Sequence, residues 1–177
     1  MGRIVLVTGG GRGLGKAVVL GAGGAARGVI CGLIGRGVAH VTVVNRTRSR
    51  AEVLRRRFGK AVHPVDWADT SVLADAGLLV NATTVGMAGQ PELPLDVRPL
   101  PGHAVVAELV YVPVVTPLLR AARARGLRTA DGLGMLMDQA VRGFALWFGR
   151  VPEVTAELRA LLEADLGVSA DQAGGIT

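Results

Sequence analysis

Ala17-Val18-Val19-Leu20-Gly21-Ala22-Gly23-Gly24-Ala25-Ala26-Arg27 runs from an apolar strand into a cluster of glycines and on into a helix of small residues. Closely spaced glycines at the end of a strand let the backbone approach a pyrophosphate, and the helix that follows offers free N–H groups and the positive end of its dipole. The stretch therefore reads as the phosphate-binding turn of a dinucleotide fold, with Gly21, Ala22, Gly23, Gly24 and Ala25 as candidate contacts. A second strand, Val41-Thr42-Val43-Val44, ends in Asn45-Arg46-Thr47-Arg48-Ser49-Arg50. The tip of that strand is where an adenosine ribose lies, and a site for the plain sugar usually carries Asp or Glu there to accept from the 2′-hydroxyl. Here Asn45 stands with Arg46 beside it and Arg50 one turn on. Two guanidiniums favour a 2′-phosphate, so the expected cofactor is NADP(H).

Glycines alone would decide little, because 26 of the 177 residues are glycine. What lends the turn specificity is its place between a strand and a helix inside one unit of roughly thirty residues. The plainer alternative is a structural turn followed by a solvated arginine face.

A chain of this length supports one main domain with a sizeable core. Half of the residues are apolar and 19% are charged, which excludes a disordered chain. No stretch approaches the eighteen or more consecutive apolar residues of a membrane span, and no secretory leader is evident, so no membrane partner is expected. The single cysteine, Cys31, cannot form an internal disulfide, and a reducing cytoplasm is the simplest location. The net charge of +6 is carried almost wholly by arginine, the exceptions being Lys16 and Lys60. Three Phe, one Tyr and two Trp offer few platforms for base stacking, and neither a recognition helix nor a zinc or other metal pattern is present. Nucleic acid is therefore not an expected partner, and the arginines read as a phosphate-attracting field and a solvated helix face.

From residue 16 onward, short β-branched runs alternate with helical patterns. This predicts an α/β, Rossmann-like, doubly wound and mostly parallel sheet with helices on both faces, plus C-terminal helices. Strands are expected over 17–21, 41–44, 61–65, 78–81, 104–109 and 127–129. Helices are expected over 24–35, 49–58, 116–125, 134–148 and 153–166, with Asp69 and Thr70 capping a short helix between the third and fourth strands. In the first helix Ala25, Val29 and Leu33 fall at spacings of four as the packed face, and Cys31 reads as a small packed hydrophobe. The organisation predicted is an irregular extension over 1–15, a dinucleotide-binding domain over 16–131, C-terminal helices over 132–166 and a frayed tail over 167–177.

The N-terminus carries a rival motif, Thr8-Gly9-Gly10-Gly11-Arg12-Gly13-Leu14-Gly15 after Ile4-Val5-Leu6-Val7, which looks like the opening of a short-chain dehydrogenase. Gly15 and Gly21 are too close for a crossover helix to fit between two such turns. The Tyr-x3-Lys pair that chemistry needs is also missing, since Tyr111 is followed at that spacing by Val115.

From residue 16 to about 166 the chain resembles the NADP-binding half and C-terminal helices of shikimate dehydrogenases. Gly21-Ala22-Gly23-Gly24-Ala25 is similar to that family's pyrophosphate turn, and Asn45-Arg46-Thr47-x-x-Arg50 to its 2′-phosphate clamp. Asn81-Ala82-Thr83-Thr84-Val85-Gly86-Met87 is similar to the loop passing the nicotinamide side. Leu109-Val110-Tyr111-x-Pro113-x-x-Thr116-Pro117-Leu118 and Asp131-Gly132-Leu133-Gly134-Met135-Leu136-x-x-Gln139-Ala140 are similar to the two segments that follow. The resemblance implies NADP-dependent reduction of 3-dehydroshikimate to shikimate, the alternatives being a non-catalytic NADP(H)-binding module or a fragment of a quinate/shikimate dehydrogenase. It implies cofactor contacts at Asn45, Arg46, Thr47, Arg50, Asn81, Thr83, Leu109 and Gly132, and substrate contacts at Tyr111 and Gln139. It further implies that the lysine and aspartate that move the proton belong to a preceding substrate domain of about a hundred residues, which this sequence does not contain, so no catalytic residue is assigned here. Lys16, Lys60, His40, His63 and His103 all sit before or at the start of strands, at the edge opposite the cofactor. Glu108 stands where the family often has Asp, and Val112 separates Tyr111 from Pro113. Self-association, or pairing with a separate substrate domain, is expected.

Overall fold

The computed structural model describes residues 15–167. The predicted extension and tail therefore lie outside the described residues, apart from Gly15 and Gly167. Six strands, β1 (Lys16–Leu20), β2 (His40–Val44), β3 (Val62–Val65), β4 (Leu78–Asn81), β5 (Val105–Glu108) and β6 (Arg128–Ala130), form one sheet in the order β3-β2-β1-β4-β5-β6. Every pairing is parallel. The chain moves outward from β1 to β3, then returns to the centre and moves the other way. Its order thus reverses between β1 and β4, the place where ligands bind beyond the carboxyl ends of such sheets.

Helices α1 (Gly24–Ile34), α2 (Arg48–Phe58), α3 (Pro117–Ala124), α4 (Gly132–Phe148) and α5 (Ala156–Asp165) complete the fold, with short 3₁₀ turns at Gly59–Ala61 and Thr70–Leu73. Alternation along β1 explains the layers. Ala17 and Val19 face one side, packing with Ile30 and Leu33 of α1 and Leu54 of α2. Val18 and Leu20 face the other, packing with Leu118, Leu119 and Ala122 of α3. A sheet covered on both faces needs apolar residues at both parities, and that is why its strands read as continuous apolar runs.

Helix starts follow their caps. Thr116, Asp131 and Thr155 accept from the backbone N–H of Leu119, Gly134 and Leu158, with Pro117 in the first turn of α3. Asp131 begins α4 two residues earlier than its apolar spacing suggests, and Thr155 begins α5 three residues later. Asp69 caps the short turn after β3, as expected, by accepting from the Ser71 N–H.

Two expectations for α1 fail. Its packed face is Ala26, Val29, Ile30 and Leu33, and Ala25 is exposed. A stripe of i, i+3, i+4 and i+7 follows the 3.6-residue period, whereas a strict spacing of four drifts off it. Cys31 is exposed rather than packed, because it lies about 100° around the helix from the enclosed Ile30.

Candidate functional site

The predicted contacts gather at the carboxyl ends of β1, β2, β4 and β5 because ladder hydrogen bonds continue past the strands. The Gly21 N–H donates to the Val44 carbonyl at 2.8 Å, Ala82 to Leu20 at 2.9 Å, and Leu109 to Asn81 at 3.0 Å. The glycine turn is thereby fastened directly beside the residue that precedes Asn45.

The glycines separate into two kinds. Gly21 has φ of +103°, and a Cβ there would lie 2.9 Å from the Ala82 carbonyl oxygen, so the fold itself requires glycine. Gly132 begins α4 against the β5 crest, where a Cβ would lie 2.5 Å from the Val110 oxygen and 2.6 Å from the Leu109 oxygen. Gly23 and Gly24 differ: both are exposed, neither has a positive φ, and a Cβ on either meets nothing within 4 Å. They leave bare backbone at the start of α1, whose N-terminus has neither a side-chain cap nor an acidic residue in its first turn. Unpaired N–H groups and a positive dipole end then face open space, an arrangement suited to an anion.

At the tip of β2 the three arginines divide as well. Arg48 donates to Asp66 at 2.7 Å and lies 3.6 Å from Glu52. Arg46 and Arg50 are exposed, and their guanidiniums make no hydrogen bond or ion pair among the described residues. Asn45 donates from its side-chain amide to the Thr47 carbonyl at 2.7 Å, which shapes the bend carrying them. Two cations without partners therefore stand next to the open turn.

Beyond β4, Asn81 is fully buried. Its amide donates to the Val85 carbonyl and to Glu108, and its oxygen accepts from the Thr83 N–H and hydroxyl. Both donors and both lone pairs are satisfied within the protein, so Asn81 shapes the loop and has no free atom for a ligand. Thr83 and Leu109 are half-buried at the crest. Tyr111 and Gln139 are both exposed, one on the loop after β5 and the other on α4, consistent with groups available to a small molecule.

Sequence reasoning noted Glu108 and Asp131 without assigning them roles. Glu108 is 2% exposed, and its carboxylate accepts from Asn81, from the Thr116 hydroxyl and from the Val110 N–H. Burial pushes its pKa up, against the pull of those donors. The available signal was strand parity, since Glu108 shares its side of β5 with buried Val106. Asp131, besides capping α4, accepts from Arg159 of α5 at 2.8 Å and so fastens the two C-terminal helices together.

The lysines and histidines lie at the opposite edge of the sheet. Lys16 is the first residue of β1 and pairs with Asp75 at 2.8 Å, and His40 at the start of β2 stacks on His63 with ring centroids 3.9 Å apart. Among the described residues no group of three or more His, Cys, Asp or Glu could hold a metal ion, and no helix is long and apolar enough to cross a membrane.

Comparison with known proteins agrees with this geometry. A family model described as shikimate / quinate 5-dehydrogenase matches residues 13–87. The shikimate dehydrogenase (NADP(+)) of Rhodopseudomonas palustris strain BisB5 is 62% identical over 151 residues, covering 85% of this chain and 53% of that protein. The corresponding protein of Nitrobacter hamburgensis is 61% identical over 155 residues, covering 87% of this chain and 54% of that one. Among solved structures, the quinate dehydrogenase of Corynebacterium glutamicum in complex with NAD is 36% identical, with a TM-score of 0.77 over 85% of this chain and 55% of that one. The shikimate 5-dehydrogenase of Thermus thermophilus in complex with NADP(H) and shikimate is 41% identical, with a TM-score of 0.68 over 77% and 50%. The chain spans about half the length of the curated relatives it matches.

Proposed function

We propose that the chain is the cofactor half of a shikimate dehydrogenase: it binds NADP(H) and serves an oxidoreductase interconverting shikimate and 3-dehydroshikimate. One observation carries the reading above all. Gly23 and Gly24 lie open at an uncapped helix start beside two arginines whose guanidiniums have no partner among the described residues. Gly21, Ala22, Gly23, Gly24 and Ala25 form the pyrophosphate turn. Arg46 and Arg50, with Asn45 and Thr47 shaping the bend, take the 2′-phosphate, while Thr83, Leu109 and Gly132 line the far end of the cleft. Asn81 acts through the loop it braces.

When bound, the cofactor supplies the hydride. The chain's own residues do the rest of the positioning: the α1 N-terminus neutralises and orients the pyrophosphate, and the crest loops wall the nicotinamide end. Tyr111 and Gln139, polar and exposed, offer hydrogen bonds to substrate hydroxyls. Proton transfer to the carbonyl falls to groups outside the described crest, whose lysines and histidines lie at the other edge of the sheet. The proposed setting is the cytoplasm, with a separate substrate domain or a second copy as partner.

A relative solved with quinate dehydrogenase in its name and NAD in its site raises the alternative cofactor. The absence of an acid among residues 45–50, together with Arg46 and Arg50, favours the phosphorylated carrier. Fluorescence titration tests this. The wild-type chain is expected to bind NADPH more tightly than NADH, and Arg46→Ala or Arg50→Ala to erode that preference by about tenfold each, roughly 1.4 kcal/mol. Equal affinity for both carriers, or a preference that survives both substitutions, refutes the reading. NADP+ reduction with shikimate, measured with and without an added substrate domain, separates a catalytic half from a binding module.

A further inference from the structure

Glu108 is enclosed at the carboxyl end of β5, and nothing in the proposed cofactor contacts uses it. Its Oε2 accepts from Asn81 Nδ2 and from Thr116 Oγ1, each at 3.1 Å, and its Oε1 accepts from the Val110 N–H at 3.1 Å. The direction of each bond is set by its neighbours. Thr116 Oγ1 gives its single proton to Glu108 Oε2 while accepting from the Leu119 N–H. The Asn81 oxygen is taken by Thr83, so its amide must face Glu108. The Val110 N–H and the Asn81 amide can only donate, so two of the three contacts favour the ionised form.

These three donors come from different places: the crest of β4, the crest of β5 and the N-cap of α3. We propose that Glu108 is a positioning residue whose ionised carboxylate ties the loop over 81–85 to the loop carrying Tyr111, and so sets the walls of the nicotinamide end of the cleft. Two backbone bonds run between the same crests, from the Leu109 N–H to the Asn81 carbonyl at 3.0 Å and from the Ala88 N–H to the Val112 carbonyl at 2.8 Å, and Glu108 adds the side-chain tie that joins both crests to the N-cap of α3. The inference rests on the cofactor reading above for its functional consequence, though not for the structural tie. The groups facing Glu108, namely Asn81 from β4, Thr116 from α3 and the Val110 and Leu109 amides, are all uncharged, so its own ionisation is the local variable.

The test compares wild type, Glu108→Gln and Glu108→Asp in the full chain. Without ligand, Glu108→Gln is expected to speed amide hydrogen exchange at Thr83, Val85 and Val110 while leaving β1 amides such as Val19 protected. At neutral pH its NADPH affinity should fall about tenfold, and Glu108→Asp, which keeps the charge, should recover most of that loss. Lowering the pH should shrink the wild-type advantage over Glu108→Gln as Glu108 takes up its proton. The cofactor's own 2′-phosphate, with a pKa near 6, titrates equally in both comparisons and cancels in the ratio. Unchanged exchange at the three amides, a ratio independent of pH, or an Asp variant no better than Gln overturns the proposal. If wild type binds no NADPH, the cofactor reading fails while the exchange data still decide the tie. Should Glu108→Gln not fold, Thr116→Val removes one donor from the same carboxylate and makes the same comparison.

Discussion

Replacing Gly23 with serine should stabilise the chain slightly and weaken its hold on NADPH, an opposition that a merely structural glycine would not produce. Gly23 is the N-cap of α1, with φ of −83° and ψ of −166°, a conformation any residue adopts, and its missing Cβ faces open space. Serine is a better N-cap than glycine by a few tenths of a kcal/mol, because its hydroxyl accepts from a first-turn N–H. In a domain of this size that is a rise in Tm of about 1 °C. The same hydroxyl would occupy N–H groups on which a pyrophosphate depends, and its Cβ would stand where the phosphate must approach. Losing one charge-assisted hydrogen bond costs about 1.5–3 kcal/mol, a reduction in NADPH affinity of roughly tenfold to a hundredfold.

Gly21→Ala is the control. Its positive φ costs about 1–2 kcal/mol for alanine, and forcing a methyl to 2.9 Å from a backbone oxygen adds about 1–3. Urea denaturation and NADPH titration on the two variants decide the matter. If Gly23→Ser is destabilised as Gly21→Ala is, or binds NADPH as wild type does, then the open turn is not the phosphate site.

Two further outcomes follow from surfaces away from the turn. Leu146, Trp147 and Val151 are 76–81% exposed and follow one another with exposed Phe148 at the end of α4, the kind of apolar surface that marks an interaction site. Light scattering should find self-association that Trp147→Glu disperses, and a monodisperse wild-type monomer at high concentration would contradict it. Stability should also respond to His40, whose pKa is held below the usual histidine value by burial, then by His63 and Lys16. A depressed pKa means that its contribution is present above pH 6.5 and is lost as the pH falls through the lowered value, so His40→Gln should flatten the acid limb of urea-denaturation midpoints; parallel limbs refute this. Glu108, with a pKa raised by burial, works in the opposite sense on global stability: that stability is full below about pH 4.5 and is lost as the pH rises and the enclosed carboxylate ionises, so its tie between the loops fixes their geometry without adding net stability.

The sheet was legible because strands enclosed on both faces have no polar parity, so Ala17-Val18-Val19-Leu20 and Leu78-Leu79-Val80 stand out as uninterrupted runs between turn residues. Helix ends were harder to read. The apolar spacing in α4 starts late because Gly132 packs against the β5 crest without a side chain, and only the Asp131 cap marks the true start. Ala25 and Cys31 were misplaced in α1 for a related reason: small residues in a run of Gly and Ala carry little amphipathic signal, and an error of one position turns a side chain by 100°. The pairing of Arg48 with Asp66 was invisible, since it joins the start of α2 to the tip of β3, eighteen residues away.

At the crest, legibility divides along chemical lines. Gly21, Gly132, Asn81, Glu108 and Asp131 are explained by the fold: each meets a steric demand or has its hydrogen bonds met by named protein groups. Gly23, Gly24, Arg46, Arg50, Tyr111 and Gln139 are not so explained, being open, exposed and unneeded by the packing. The first set could be replaced only at a cost to stability, whereas the second could be replaced at almost none. A helix start left without a cap and two arginines left without partners each forgo a few tenths to about 1 kcal/mol that ordinary capping and pairing would add. Both omissions occur on one edge of one sheet, beside the point where the strand order reverses. Binding of a doubly charged pyrophosphate and a 2′-phosphate accounts for both at once, whereas a purely structural origin needs a separate explanation for each.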